Sequence, residues 1–129
     1  MEIIINKGVK GYKEQNVSHK DMAKAYASGL VEVFATPAMI ALMESTAYLS
    51  VDDLLPQGFS TVGTLVNIEH IKATPLGSKV YCESVLEHQQ DRKLTFLVTA
   101  YDQTGIIGQG THERSIINIE KFMKKLIKE

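Results

Sequence analysis

Thr36, Glu44 and His70 are the residues of this 129-residue chain whose side chains could split an ester or thioester. A carboxylate or an imidazole activates water for such a reaction, or one of them activates the threonine hydroxyl as a nucleophile. Glu44 stands out because it is the one charged side chain in VFATPAMIALMESTAYLSV, residues 33–51. On a helical wheel, Ile40 and Ala41 lie one turn before it and Ala47 and Tyr48 one turn after, so its own face offers no basic partner. A helix apolar nearly all round is normally buried, and an ionised carboxylate there costs several kcal/mol unless it is paired; otherwise its pKa rises. Glu44 therefore needs a partner from elsewhere in the fold, or a catalytic task. Free backbone N–H groups at a helix start, or in the loop around Gly63, would serve to hold a developing oxyanion.

Each residue also has a plainer reading. Thr36 before Pro37 makes a good helix N-cap, a histidine on an apolar face is often a hydrogen-bonded core residue, and Gly63 relieves a bulge. Spacing alone leaves the reaction open. Other chemistries are less supported: with the single cysteine Cys82 and four scattered histidines (His19, His70, His88, His112), no metal-ligand spacing is visible and no cofactor is implied. Cys82 has no disulfide partner in the chain and suits a reducing cytosol. A net charge of −1, with neither a basic stripe nor an acidic tail, does not imply nucleic acid or acidic membranes as partners. MEIIINKG has too short an apolar run for a signal peptide, and Pro37 and Glu44 argue against a membrane span at 33–51. The expectation is one cytoplasmic domain, 1–129, with 44% hydrophobic residues, enough to bury a core.

The elements that would position these side chains follow from the pattern. Residues 9–17 read as extended. Ser18 with Asp21 resembles a capping box opening a short helix, HKDMAKAYAS, that stops at Gly29. Thr36-Pro37 starts the long apolar helix, which ends near Leu54, before Pro56 and Gly58. Beyond Gly58 the chain reads as strands at 60–71, 79–88, 93–101 and 106–118, joined by ATPLGS, QQDR and DQTG. In the first of these, Thr64, Val66, Ile68 and His70 share one face, expected to turn toward the helix, and Leu65, Asn67, Glu69 and Ile71 share the other. Asn118 caps a final amphipathic helix, IEKFMKKLIKE, carrying Phe122 and Leu126. Short polar connections favour antiparallel hairpins. The fold class is α+β: a curled antiparallel sheet wrapped around a long central helix, the hot-dog arrangement, which usually comes as a dimer. Hydroxyl, carboxylate and imidazole then converge on one cavity or on a dimer seam.

The run FATPAMIALMESTA, followed by GFSTVGTLVNIEHIKATPLGSKV, closely resembles the fluoroacetyl-CoA thioesterase-like group of the hot-dog superfamily, and the resemblance spans roughly residues 8–118. It implies an acyl-CoA thioesterase with Thr36, Glu44 and His70 catalytic, the Gly63 amide holding the thioester carbonyl, and Arg114 near the end of the last strand at the substrate. The family's name-giving enzyme carries phenylalanines in the lid segment upstream of the threonine. Here that segment reads AYASGLVEVF, with Ala27 and Leu30 about where those rings would fall, leaving Phe34 and Tyr26 to line the pocket. Resemblance thus supports hydrolysis of a small or medium acyl-CoA by a homodimer, not fluoroacetyl-CoA as substrate. The alternatives are a hot-dog enoyl-thioester hydratase or dehydratase, and a non-catalytic acyl-CoA-binding dimer. Lys72 and Lys79 flank an entrance suited to CoA phosphates, although such lysines are more often merely solvated.

Overall fold

A computed structural model describes residues 2–27 and 29–127. Strand β1 (Lys10–Asn16) precedes two short 3-10 turns (His19–Asp21 and Ala23–Tyr26), helix α1 (Thr36–Asp52), strands β2 (Phe59–His70), β3 (Lys79–Gln90), β4 (Lys93–Asp102) and β5 (Gly105–Asn118), and helix α2 (Ile119–Ile127). The strands form one antiparallel sheet in the order β1-β3-β4-β5-β2. Hot-dog α+β architecture is therefore what the patterning predicts. The hairpin turns fall at Asp91-Arg92 and Gln103-Thr104, inside the expected QQDR and DQTG segments.

The core lies between α1 and the concave face of the sheet. Met39, Leu42, Met43, Ala47 and Val51 of α1 meet Val80, Leu86, Leu94, Phe96, Val98 and Ile107. Each large side chain so buried contributes about 1.5–3 kcal/mol. The sheet covers only one side of the helix: Ala41 and Leu49 face outward, Leu49 more than half exposed. Expected all-round burial of α1 thus does not hold within one protomer.

Two local expectations are also corrected. The segment after Ser18 is not an α-helix but a pair of 3-10 turns, with i→i−3 bonds, because Ala35 takes the Asp21 carbonyl that an α-helix would offer to Ala25. Asp21 accepts the Ser18 N–H at 2.9 Å through its carboxylate and the Ala35 N–H at 2.8 Å through its backbone carbonyl. Ala27 closes the second turn in the left-handed region (φ 55°), and the expected helix end at Ser28 lies outside the described residues. Thr36 does not cap α1. Ala35 occupies that position, and the Thr36 hydroxyl is engaged elsewhere. Asn118 does cap α2, its side chain accepting the Lys121 N–H at 3.0 Å. No side chain of α2 among the described residues is buried; the last two residues of the expected helix, 128 and 129, lie outside them, as does residue 1 of the expected domain.

Beta2 and β5 approach closely at Gly110, where a Cβ would lie 2.1 Å from the Asn67 carbonyl oxygen and 2.9 Å from Ile68 Cα. Those are backbone atoms and cannot rotate away. Gly110→Ala is expected to lower stability by about 1–3 kcal/mol, read as a lower urea midpoint.

Candidate active site

Beta2 supplies two positions facing α1, and a bulge lets it do so. Gly63 pairs with Arg114 and Leu65 with Glu113, leaving Thr64 as the extra residue. The bulge switches the inward parity from odd positions (the buried Thr61, and Gly63) to even ones: Val66 opposite the buried His112, Ile68 against the core, and His70. The expected Val66-Ile68-His70 face is thus present, although Val66 stays 45% exposed.

At the far end of that face His70 meets the start of α1. Thr36 Oγ1 lies 2.7 Å from His70 Nδ1. The two sit at the wall of a cavity of about 310 Å³ that Val31, Val33, Phe34, Ile71 and Ala73 also line. Burial pulls the His70 pKa below its ordinary 6.5, partly countered by the Lys72 backbone. The His70 Nε2 is buried without a hydrogen-bond partner among the described residues. Phe34 is fully buried beneath the threonine and lines the cavity, whereas Tyr26 lies 43% exposed and does not. Across the lid segment, Leu30 and Val31 are largely exposed, Ala27 and Leu30 stand where the lid rings were expected to be missing, and Ser28 lies outside the described residues.

Glu44 belongs to a second cluster. A Cβ added to Gly63 would lie 2.8 Å from Glu44 Oε2, 3.3 Å from His112 Cε1 and 3.4 Å from Arg114 Nη1, so glycine leaves the space the carboxylate fills. Glu44 is partly, not fully, buried, and the partner it needs from elsewhere in the fold is at hand: Arg114, which the wheel could not reveal, comes from β5 to within electrostatic reach. Arg114 itself is buried. Its Nε donates to Thr61 Oγ1 at 2.7 Å, its Nη2 to the Thr61 carbonyl at 3.0 Å, and its guanidinium lies over the Tyr48 ring. Burial draws its pKa down, and the Glu44 carboxylate opposes this.

Patterning gave no role to His112, yet it is the hub of this cluster. Arg114 Nη1 lies 3.1 Å from its Nε2, and its Nδ1 lies 2.8 Å from the Leu65 carbonyl. Since arginine only donates, Nε2 must accept, which places the ring proton on Nδ1 toward Leu65. The available signal was alternation: on β5, His112 and Arg114 share the parity of the apolar Ile116.

Thr36 with His70, and Glu44 with Gly63 and Arg114, are therefore two groups within one protomer. Thr36 and Glu44 are eight residues apart on α1, about 12 Å along its axis, and Glu44 does not line the cavity at Thr36 and His70. The Lys72 ammonium pairs with Asp102 at 3.0 Å and that of Lys79 with Glu14 at 3.1 Å. Burial pushes the Cys82 thiol up to about 11, so it stays protonated and is no nucleophile. A larger cavity, about 820 Å³, lies elsewhere, between residues 2–5 and the β3–β4 hairpin. It is an open groove among solvated charges, with none of the candidate residues, and the convergent geometry of Thr36 and His70 outweighs its size. No His/Cys/Asp/Glu group able to hold a metal occurs among the described residues.

A family model described as fluoroacetyl-CoA-specific thioesterase matches residues 17–120. The fluoroacetyl-CoA thioesterase of Streptantibioticus cattleyicolor is 39% identical over 95 residues, 74% of this chain and 68% of that protein. Among solved structures, the fluoroacetyl-CoA thioesterase FlK is 31% identical and superposes with a TM-score of 0.88, covering 95% of this chain and 96% of that one. A thioesterase superfamily member from Thermus thermophilus, 22% identical with a TM-score of 0.88 over 95% and 91% of the two chains, shares the fold.

His112 and His70 both have pKa values below the free 6.5, chiefly through burial. The unfolded chain then binds more protons than the folded one as pH falls through about 6.5, so stability is lost on the acid side. A urea midpoint that declines from pH 7 to pH 5, with a shallower decline in His112→Asn, is expected.

Proposed function

Because the chain belongs to the fluoroacetyl-CoA-specific thioesterase family and is a thioester hydrolase of the hot-dog fold, we propose that it cleaves a small or medium acyl-CoA through Thr36, Glu44 and His70. The observation that carries this reading is the 2.7 Å contact between Thr36 Oγ1 and His70 Nδ1 at the wall of the 310 Å³ cavity. With the ring proton on Nε2, facing the Lys72 backbone, Nδ1 holds a lone pair that accepts the Thr36 proton. The oxygen attacks the thioester carbon, the oxyanion collapses, and the CoA thiolate leaves and takes the proton from His70. Water then releases the acid from the threonine ester. Glu44 is the base for that water, the Gly63 amide a donor to the carbonyl oxygen, Arg114 a nearby positive charge and Phe34 a wall of the acyl pocket.

A homodimer reconciles the two groups. Beta2 is a sheet edge, with Leu65 and Val66 each more than 40% exposed, and such an edge favours pairing with another copy. In the proposed dimer, antiparallel pairing of the two β2 edges about a twofold axis between Val66 and Asn67 would set Gly63 of one copy opposite the partner's His70. Glu44 then joins the partner's threonine and histidine, giving two equal sites. Acyl-CoA and a second copy are the partners proposed, and a cytoplasmic setting fits both.

Incubation with an acyl-CoA panel tests the reading. Release of free thiol, lost in Thr36→Ala, is the expected result. Loss of enoyl absorbance would support a hydratase instead, and binding heat without turnover a carrier. Acetyl-CoA and fluoroacetyl-CoA should differ by less than a hundredfold, about 2.7 kcal/mol, because the lid has no ring besides the exposed Tyr26 and the buried Phe34.

Glu44→Gln is expected to slow turnover by a factor on the order of 10² to 10⁴. Since the carboxylate is only partly buried and makes no salt bridge among the described residues, the urea midpoint should hardly move. Normal turnover in a variant that unfolds early would make Glu44 structural.

A further inference from the structure

At the end of β4, away from Glu44 and Arg114, a buried carboxylate faces the loop that follows His70. Asp102 is 6% exposed and has four hydrogen-bond donors on its two oxygens. The oxygens do different work. Oδ1 accepts the Thr104 backbone N–H at 2.8 Å and the Thr104 hydroxyl at 2.7 Å, which fastens the β4–β5 turn. Oδ2 points the other way and accepts the Lys72 ammonium at 3.0 Å and the hydroxyl of the fully buried Thr74 at 3.0 Å. A turn alone needs only Oδ1. Burial favours the neutral acid, yet the bonds from Thr104, Lys72 and Thr74 together hold Asp102 well below the usual carboxylate range, so it is charged at neutral pH.

The loop so gripped lies beside both members of the Thr36–His70 pair: it follows His70 directly and bonds the segment just ahead of Thr36. His70 is two residues before Lys72, and the Lys72 backbone lies alongside its ring. The Ile71 and Lys72 N–H groups reach the Ile107 carbonyl at 2.7 and 3.2 Å, which fixes that side of the loop to β5. On the other side, the Thr74 carbonyl accepts the Phe34 N–H at 2.8 Å, and Val33 bridges Pro75. Phe34 is two residues before Thr36. Ile71, Lys72 and Ala73 also form a wall of the cavity. Releasing Oδ2 would free the Thr74 hydroxyl and leave the Lys72 ammonium only its bond to Thr104 Oγ1, loosening the side-chain grip on a loop that backbone bonds tie to β5 and to Phe34.

We infer that Asp102 is a positioning residue for the proposed Thr36–His70 pair, acting through the clamp that its Oδ2 places on Lys72 and Thr74. It touches no substrate. The inference rests on the proposed role of Thr36 and His70, and it gives Lys72 a task inside the protein in place of phosphate binding. A shift of a few tenths of an ångström in the 2.7 Å contact is enough to slow proton transfer while the cavity still accepts the acyl group. The signature is therefore a fall in kcat with little change in KM.

The test is a double-mutant cycle on the full-length protein, with thiol release from the acyl-CoA that the wild type cleaves fastest. Asp102→Asn is expected to lower kcat by roughly tenfold to a hundredfold with KM changed less than threefold. Combined with Thr36→Ala, the same substitution should change the residual rate less than twofold, because nothing remains to be positioned. Lys72→Met should resemble Asp102→Asn, and Lys72→Arg should retain most activity. Urea midpoints establish that each variant is folded; should Asp102→Asn not fold, Thr74→Val, which removes one bond to Oδ2, takes its place. A folded Asp102→Asn with wild-type kcat, or an equal loss in both backgrounds, overturns the inference. If Thr36→Ala alone keeps wild-type turnover, the proposed Thr36 chemistry fails first, a result the cycle separates from the failure of Asp102.

Discussion

A strand presents only every second side chain to the helix it packs on, and β2 must present Gly63 and His70, an odd and an even position. Uninterrupted alternation forbids that. The bulge between Gly63 and Leu65 resolves the conflict by adding Thr64, and everything else at the site depends on it. Ahead of the bulge, Gly63 faces Glu44 and Arg114; beyond it, His70 faces Thr36. His112 secures the junction through the Leu65 carbonyl, at the residue where regular pairing resumes. A neutral histidine suits that place, since its acceptor nitrogen meets a guanidinium and a second positive charge there would be opposed by the first.

Much of this was legible in the sequence because it rests on short-range rules. Alternation located the strands to within a residue or two, proline and glycine set the ends of α1, and Asn118 marked the start of α2. Antiparallel pairing followed from the loop lengths. What escaped was decided by partners distant in the chain. Thr36 reads as a cap because threonine before proline usually is one, and only the fold brings His70, 34 residues on, to within 2.7 Å of its hydroxyl. Local signals after Ser18 favour a helix, but Ala35 competes for the Asp21 carbonyl.

The candidate site was legible in its members more than in its grouping. Thr36, Glu44, His70, Gly63, Arg114 and Phe34 all lie on the α1 side of the sheet, as expected, yet they divide between two places. Helix geometry explains the division: eight residues of α1 separate hydroxyl from carboxylate, and no packing of one chain removes that length. Leu49 on the outer side of α1, and Leu65 and Val66 on the edge strand β2, are exposed. Their exposure and the split site thus have one reading, the proposed second copy.

The state of the carboxylate follows from where the arginine sends its hydrogen bonds. A guanidinium that gripped Glu44 in a two-pronged pair would occupy the lone pairs a base requires. Thr61 prevents this. Its hydroxyl and carbonyl take Nε and Nη2 of Arg114, and His112 takes Nη1, so the positive charge stands near Glu44 without bonding to it. No hydrogen bond or salt bridge among the described residues engages the Glu44 oxygens, and the absent side chain of Gly63 leaves one of them room. The Glu44 oxygens are thus left without a bonded partner among the described residues, beside the positive charge of Arg114.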